Sequence, residues 1–161
     1  MVKEHDRFWS DEMKKKAASL VFSVEQIVKI ASIVEEETNK NDEKSRIAGV
    51  YINRLSKGMP LQADPTLKFA ANDFTLKRIL NIHKEINSPY NTYKNAGLPP
   101  GPICIPSIAS INAVLDAEKH YYYFFCARPD FSAYHDFASS YEQHQMNAAR
   151  YMSALDRLNI S

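Results

Sequence analysis

Hydrophobic positions recur with a helical period along much of the chain, most clearly in residues 23–38. Ser23 and Gln26 have the spacing of a capping box, which predicts a helix beginning at Val24. Apolar residues then return every three or four positions, as expected for a helix with one face toward a core. They are Val24, Ile27, Val28, Ala31 and Val34. We therefore expect a helix that reaches about Glu37 and lies at the centre of the fold.

Three more helices are predicted in the first half of the chain from apolar spacing and end signals. Capping side chains mark helix starts, proline is favoured in the first turn and glycine just beyond the last. The predicted ranges are 11–20, capped by Ser10; 42–57, stopped by Gly58; and 64–71, with Asp64 as N-cap and Pro65 at the first position.

The second half is predicted to hold a small antiparallel sheet between two helices. The aromatic run 121–127 is typical of a buried strand, and 134–138 alternates well enough to be its hairpin partner. Ser107 is expected to cap a helix, and Ser140 with Gln143 forms a capping box for the last one. The apolar faces are Ile108, Ile111, Val114 and Leu115 in the former, and Ala148, Tyr151, Met152, Leu155 and Leu158 in the latter.

Two stretches resist assignment to a regular element. Residues 72–86 are ambiguous between short helix and strand. Residues 88–106 hold five of the eight prolines and two of the four glycines, which favours a long ordered loop, and such loops are commonly functional. The expected fold class is α+β: a helix-dominated single domain, 1–161, with a small antiparallel β element and a long Pro-rich loop.

Composition narrows the classes of function. The 161 residues are 45% hydrophobic and 24% charged, which is typical of a globular domain. Twenty basic against nineteen acidic residues leave a formal charge of +1, so nucleic acid is not expected as a partner. Two cysteines are too few for a disulfide framework. There is neither a signal peptide nor an apolar run of 18 residues, and these patterns alone leave open whether the chain is a domain excised from a longer, anchored protein.

Three consecutive glutamates end the central helix, where they oppose the helix dipole and one another. A conflict of this kind is expected at a functional site, although a solvated acidic helix end is the alternative. A glutamate that acts as a general acid near neutral pH needs its pKa raised from about 4.3 to roughly 6–7, which corresponds to on the order of 3–4 kcal/mol. Most of this energy must come from apolar surroundings that disfavour the charged form. Helical projection gives Glu35 and Glu37 apolar neighbours and places Glu36 on the polar side with Lys29 and Ser32. Projection alone does not choose between Glu35 and Glu37.

Other chemistries lack a sequence signal. The five histidines show no metal-binding spacing, there is no CxxC pair, and neither a metal nor a cofactor is expected. The nucleophile-elbow and phosphate-loop motifs are also missing. What remains is carboxylate chemistry beside amide, hydroxyl and aromatic side chains, which is typical of a carbohydrate site.

Five blocks, in this order, carry a resemblance that covers about residues 9–151. They are Ala31-Ser32-Ile33-Val34-Glu35-Glu36-Glu37-Thr38, Asn53-Arg54-Leu55, Gly58-Met59-Pro60-Leu61-Gln62-Ala63-Asp64-Pro65-Thr66, Ser88-Pro89-Tyr90-Asn91-Thr92-Tyr93 and Gly97-Leu98-Pro99-Pro100-Gly101-Pro102-Ile103. Together they resemble the catalytic region of the endolytic murein transglycosylases, the MltG or YceG-like family. The sequence departs from the family pattern after Ile103, where it reads Cys104-Ile105-Pro106-Ser107.

The resemblance implies a peptidoglycan lytic transglycosylase. Such an enzyme cleaves the β-1,4 bond between N-acetylmuramic acid and N-acetylglucosamine in nascent strands and leaves a 1,6-anhydro end. Glu37 falls on the family's catalytic acid/base position, so the resemblance selects it over Glu35. It also implies glycan strands as substrate, cell-wall synthases as partners, and a place outside the bacterial inner membrane. The membrane anchor and LysM-like part of the family are expected to lie outside this chain.

The same blocks supply the other candidate site residues. Gln62, Asp64 and Thr66 are predicted to line the cleft, with turn and cap chemistry as the alternative. Asn91 and Tyr93 on the long loop are predicted to bind sugar, with loop-stabilising hydrogen bonds as the alternative. Substrate-binding candidates are thus Gln62, Asp64, Thr66, Asn91 and Tyr93.

Three residues are assigned supporting roles. Asn53 is expected to orient Glu37 or to tie a loop down, and Glu35 to make a buried bond to a neighbour such as Arg54. His135 is interpreted either as a partner that orients a site residue or as a core histidine whose hydrogen bonds are satisfied.

Two other functions of the chain remain open: a non-catalytic glycan-binding or scaffold module, and a hydrolytic muramidase.

Overall fold

A computed structural model of the chain describes residues 9–76 and 79–158. They form seven helices and one two-stranded antiparallel sheet, which confirms the expected helix-dominated α+β class. The elements are α1 Asp11–Ser19, α2 Val24–Glu37, α3 Asn41–Ser56, α4 Asp64–Ala70, α5 Asn81–Lys84, α6 Ile108–Leu115, β1 Phe124–Ala127, β2 His135–Ala138 and α7 Tyr141–Arg157.

Helix α2 is the centre of the core. The predicted capping box is present: the Ser23 hydroxyl accepts from the Gln26 N–H, and the Gln26 side chain accepts from the Ser23 N–H. The helix packs against α3, α4 and α6. Its second half is buried on more sides than the apolar stripe predicts, because Ser32, expected on the polar side, is fully buried and accepts from the Ile103 N–H of the long loop.

Local end signals located the early helices correctly. Ser10 caps α1 through the Met13 N–H, and Gly58 after α3 has φ +69°, the left-handed conformation expected of a helix stop. One assignment was wrong by a residue: Ala63, not Asp64, is the N-cap of α4, and Asp64 is its first residue. This shift leaves the Asp64 side chain free to point away from the backbone of the first turn.

The long loop and the ambiguous stretch are resolved by the structure. Residues 88–106 contain neither helix nor strand, as predicted. Within 72–86 one short helix forms, α5, while residues 77–78 lie outside the described part.

The predicted hairpin is present but shorter than expected. Strands β1 and β2 pair with Phe124 opposite Ala138 and Ala127 opposite His135. The first three residues of the predicted strand are not part of it, and Tyr121 is 83% exposed. The reason is that side chains of α3 occupy the carbonyls of these residues. Asn53 donates to the Tyr122 carbonyl and Arg54 to the Tyr123 carbonyl, so these carbonyls are not available to a neighbouring strand.

Helix α7 differs from the prediction in what its apolar face covers. Leu155 is buried as expected, but Met152 is 39% and Leu158 57% exposed, whereas Asn147 and Ala154 are buried. The helix packs against the hairpin, and part of its apolar face forms the wall of a cleft instead of the core.

No single helix in residues 9–76 and 79–158 is long and apolar enough to cross a bilayer. Helices α1 and α2 meet the length and composition criteria only as a pair, with a bend of 84° between them.

Candidate active site

A cleft of about 500 Å³ opens between the helical core and the hairpin, and the end of α2 reaches into it. Its volume is in the range of sites that hold small ligands. Polar and apolar side chains both line it. The polar residues include Glu36, Glu37, Arg54, Gln62, Asp64, Lys68, Lys84 and Tyr93, and the apolar residues include Phe124, Phe125, Ala148, Tyr151, Met152 and Leu155.

Glu37 is the last residue of α2 and lies in the cleft wall. Burial, reinforced by the charges of Asp64 and Glu43 and opposed by Lys68, raises the pKa of Glu37 to about 8. The C-terminal end of a helix also disfavours a negative charge. No side chain in the described part of the chain donates a hydrogen bond to this carboxyl or pairs with it as an ion. Glu37 therefore holds a proton near neutral pH, without a hydrogen-bond or ion-pair partner among residues 9–76 and 79–158.

Asp64 and Tyr93 form a second acidic unit in the same cleft. The Tyr93 hydroxyl donates to Asp64 Oδ1 over 2.5 Å. Burial raises the pKa of Asp64, although the Tyr93 hydrogen bond and the charges of Lys68 and Lys84 partly oppose the rise. Both predicted residues thus lie in the cleft with Glu37.

Gln62 also lies in the cleft, and Arg54 holds it there. Arg54 Nη2 donates to Gln62 Oε1 over 3.2 Å, and its other donors reach the carbonyls of Pro60 and Tyr123. Gln62 itself has φ +49°, an unusual conformation for a non-glycine residue. The fork of Arg54 therefore braces the turn that presents Gln62.

Thr66 and Asn91 do not line the cleft. The Thr66 side chain is fully buried, and its hydroxyl bonds the Ala63 carbonyl at 2.6 Å and the Thr92 hydroxyl at 2.8 Å. Asn91 is also fully buried, and its amide donates to the carbonyls of Lys84 and Ile86. The alternative reading, turn and loop stabilisation, describes the contacts of both residues.

Asn53 holds backbone of the segment before the hairpin, and its side chain makes no hydrogen bond to Glu37. Its amide donates to the carbonyls of His120 and Tyr122 at 2.9 Å. Of the two roles considered for Asn53, loop anchoring is the one its contacts match.

Glu35 has the opposite electrostatic environment from Glu37. Its partners are Ser107 N–H at 2.9 Å, Ser110 Oγ at 2.8 Å and Lys44 Nζ at 3.8 Å, so the suggested bond to Arg54 was wrong. Burial alone would raise the pKa of Glu35, but the two serine hydrogen bonds and the lysine charge outweigh it and lower the pKa to about 2. Glu35 is therefore an ionised carboxylate that fastens α6 to α2.

Some groups at the site carry no sequence signal. Glu43 lies in the first turn of α3, where an acidic residue is ordinary, yet it is buried and bonded to His135. Tyr51 lies at the cleft with a buried hydroxyl that has no partner among the described residues. The surroundings of Glu43 and Tyr51 cannot be predicted from sequence spacing, because they depend on elements that are far apart in the chain. No group of three or more metal-ligating side chains is found in residues 9–76 and 79–158.

Comparison with known proteins adds an independent line of observation. Residues 1–150 match the profile of the YceG-like family. The chain is 37% identical over 157 residues to the endolytic murein transglycosylase of Bacillus subtilis (strain 168), an alignment that covers 96% of this chain and 42% of that protein. It is 34% identical over 136 residues to the endolytic murein transglycosylase of Streptococcus pneumoniae serotype 2, which covers 82% of this chain and 24% of that one.

A solved structure agrees with these sequence matches. A crystal structure of a YceG-like protein from Listeria monocytogenes superposes with a TM-score of 0.80 at 36% identity, covering 91% of this chain and 47% of that chain. The chain thus spans less than half the length of each of these proteins.

Proposed function

The chain belongs to the YceG-like family, and from this membership and the chemistry of the cleft we propose that it is an endolytic peptidoglycan lytic transglycosylase. The proposed reaction cleaves the β-1,4 bond between N-acetylmuramic acid and N-acetylglucosamine and leaves a 1,6-anhydro end. We place it on the outer side of the cytoplasmic membrane, where it would act on nascent glycan strands beside cell-wall synthases. The relatives named as murein transglycosylases support the substrate class.

The observation that carries the proposal is the state of Glu37. With a pKa of about 8, its carboxyl is protonated in about nine molecules of ten at pH 7, whereas an ordinary glutamate is almost wholly ionised. A general acid must hold its proton until the glycosidic oxygen needs it, and it must be in reach of the bond. Glu37 meets the first condition and lies in a cleft that is large enough for sugar rings.

The proposed mechanism begins when Glu37 protonates the leaving oxygen of N-acetylglucosamine. The carboxylate that results can then accept the proton of the muramyl 6-hydroxyl, which attacks C1 to close the anhydro ring. The N-acetyl group of the substrate stands in for a second carboxylate, as in substrate-assisted glycosidases. Gln62, Asp64 and Tyr93 are proposed to bind the acetamido and hydroxyl groups.

Residues outside the cleft are proposed to act through the fold. Thr66 and Asn91 hold the turn and the loop that carry the binding residues, Asn53 anchors the approach to the hairpin, and Glu35 fixes α6. None of these four is proposed to touch the sugar, so their loss should act through the stability of the fold.

Digestion of purified glycan strands followed by mass spectrometry tests the proposal. Anhydro ends are expected from the wild-type chain, and none from Glu37→Gln, which keeps the size of the side chain but has no proton to give. Reducing ends would assign a hydrolytic muramidase, and uncut strands retained by the protein would assign a glycan-binding module. Glu35→Gln is the matched control: we expect a lower melting temperature but unchanged activity per folded molecule.

A further inference from the structure

Glu43 and His135 form a buried acid–imidazole pair that the mechanism above does not use. Glu43 Oε2 lies 2.8 Å from His135 Nδ1, and Glu43 Oε1 accepts from the His135 backbone N–H at 2.7 Å. The side chains are 5% and 11% exposed. Both oxygens of one carboxylate therefore hold one histidine, by its ring and by its backbone, and the ring has little freedom to turn.

The pair is linked to Glu37 through the shared cleft and through Thr38. His135 and Glu37 are both in the wall of the same cleft. Thr38, which follows Glu37 in the chain, donates from its hydroxyl to Glu43 Oε2, the oxygen that also holds the imidazole, at 3.5 Å. The charge of Glu43 is also one of the influences that raise the pKa of Glu37. The acid and the imidazole are thus connected through one carboxylate.

The hydrogen-bond pattern determines what the histidine can do. A carboxylate at Nδ1 requires the N–H on that nitrogen, which leaves the lone pair on Nε2. Nε2 makes no hydrogen bond to the described residues and is not among their fully enclosed, unpartnered atoms. A carboxylate behind an imidazole also stabilises the imidazolium that forms when Nε2 takes a proton. Because His135 lies in the cleft wall and Glu43 holds Nδ1, Nε2 is the ring nitrogen left to accept a proton there.

We propose that His135 is a second proton-transfer residue of this site, with Glu43 as its positioning residue. This inference rests on the proposed function and divides the proton transfers that Glu37 alone would otherwise make. As the glycosidic C1–O4 bond breaks, O4 takes the proton of Glu37. As the C1–O6 bond forms, the proton of the 6-hydroxyl passes to His135 Nε2. The imidazolium then returns its proton through solvent to Glu37, and the site is restored without net change.

The charges around the pair are compatible with this division. On the helical side, Glu43 is bonded to the imidazole, and Glu37 lines the same cleft as His135. On the hairpin side Arg128 Nε lies 3.6 Å from Asp136 Oδ1, so the two opposite charges offset each other. The neutral ring of Phe125 packs edge-on against the imidazole at 5.4 Å. An acid that keeps its proton and a base backed by a carboxylate are a common pairing for acid–base work in one site.

Chemical rescue tests the proposal. His135→Ala is expected to lower kcat by roughly 10²–10⁴-fold with a smaller change in KM. Added imidazole should restore part of the rate, in proportion to its free-base concentration, because it can occupy the vacated space and accept the proton. His144→Ala is the matched control: it also removes a cleft histidine, but one without a carboxylate partner among the described residues, so imidazole should restore nothing.

A second variant covers the case in which the alanine chain folds poorly. His135→Gln keeps a side chain that can hydrogen-bond Glu43 but cannot carry a proton, and it is expected to be as slow as His135→Ala and unresponsive to imidazole. More than a tenth of the wild-type rate in a folded His135→Gln protein would overturn the inference, as would a folded His135→Ala protein without rescue. If the wild-type chain cleaves and Glu37→Gln does not, these results bear on His135 alone; no cleavage by the wild-type chain would overturn the proposed function, and this inference with it.

Discussion

Replacing Glu37 by glutamine should stabilise the protein in a way that depends on pH. The folded chain holds this carboxyl protonated up to a pKa of about 8, whereas the unfolded chain releases the proton near the ordinary value of 4.5. Below pH 4.5 both states are protonated and nothing is lost. Between the two values the folded state binds the extra proton, so the free energy of unfolding falls as the pH rises through this window.

The magnitude follows from the two pKa values. Each pH unit between them costs the wild-type fold about 1.4 kcal/mol, which amounts to about 3 kcal/mol at pH 7. Glutamine is neutral at every pH and has nearly the same shape, so Glu37→Gln should be as stable as the wild type at pH 4. At pH 7 it should be more stable by about 2–3 kcal/mol, the lower figure allowing for the partial exposure of the side chain.

Urea unfolding at pH 4 and pH 7, followed by circular dichroism, measures this difference. The neighbouring glutamates are internal controls because each lies in a different environment. Glu36→Gln, at an exposed position, should change the stability by less than ~0.5 kcal/mol. Glu35→Gln should lose about 1–3 kcal/mol at pH 7, because its lowered pKa contributes stability above pH 4.5 that is lost as the pH falls toward 2. A gain for Glu37→Gln that is equal at both pH values would refute the argument from burial.

Three further predictions concern residues around the cleft. Asn91→Ala should cost ~1–3 kcal/mol in the free energy of unfolding, because it leaves two partly buried carbonyls without their amide donor; a melting curve checks this. Thr66→Val should cost ~1–3 kcal/mol for the lost bonds to Ala63 and Thr92, and unchanged kcat per folded molecule would separate it from the cleft residues. Tyr93→Phe should move the titration of the Asp64 carboxyl, followed by carbon NMR, to higher pH, because its hydroxyl bond now lowers that pKa; an unmoved titration would contradict it.

Local signals in the sequence were sufficient for most of the secondary structure. The capping residues Ser10, Ser23, Ser107 and Ser140 all accept the expected backbone N–H, because a cap involves atoms three residues apart. The hairpin was identified by its alternation, but its length was not, since Asn53 and Arg54 on a distant helix take the carbonyls that would have extended the strand. The end of an element that packs against another element is therefore a tertiary property.

The candidate site divides in the same way. Motif resemblance named Glu37, Asp64, Gln62 and Tyr93, and the structure brings these four to one cleft. The motif resemblance also placed Thr66 and Asn91 among the site residues, because they occupy the same motifs. Sequence proximity, however, does not say which side chain faces the cleft and which faces the core. Glu43 was not singled out, since its partner His135 is 92 positions away.

By itself, the sequence determined where the helices begin, how the apolar positions repeat, and which family the motifs resemble, because all three are properties of neighbouring residues. Only the tertiary structure decided the chemistry of Glu35 and Glu37. Helical projection gave both carboxyls apolar neighbours, yet hydrogen bonds from Ser107 and Ser110 and a lysine charge lower the pKa of one to about 2, while burial beside other acids raises the other to about 8. The cause is physical: a carboxyl responds to the groups that surround it in space, and those groups come from other elements of the chain.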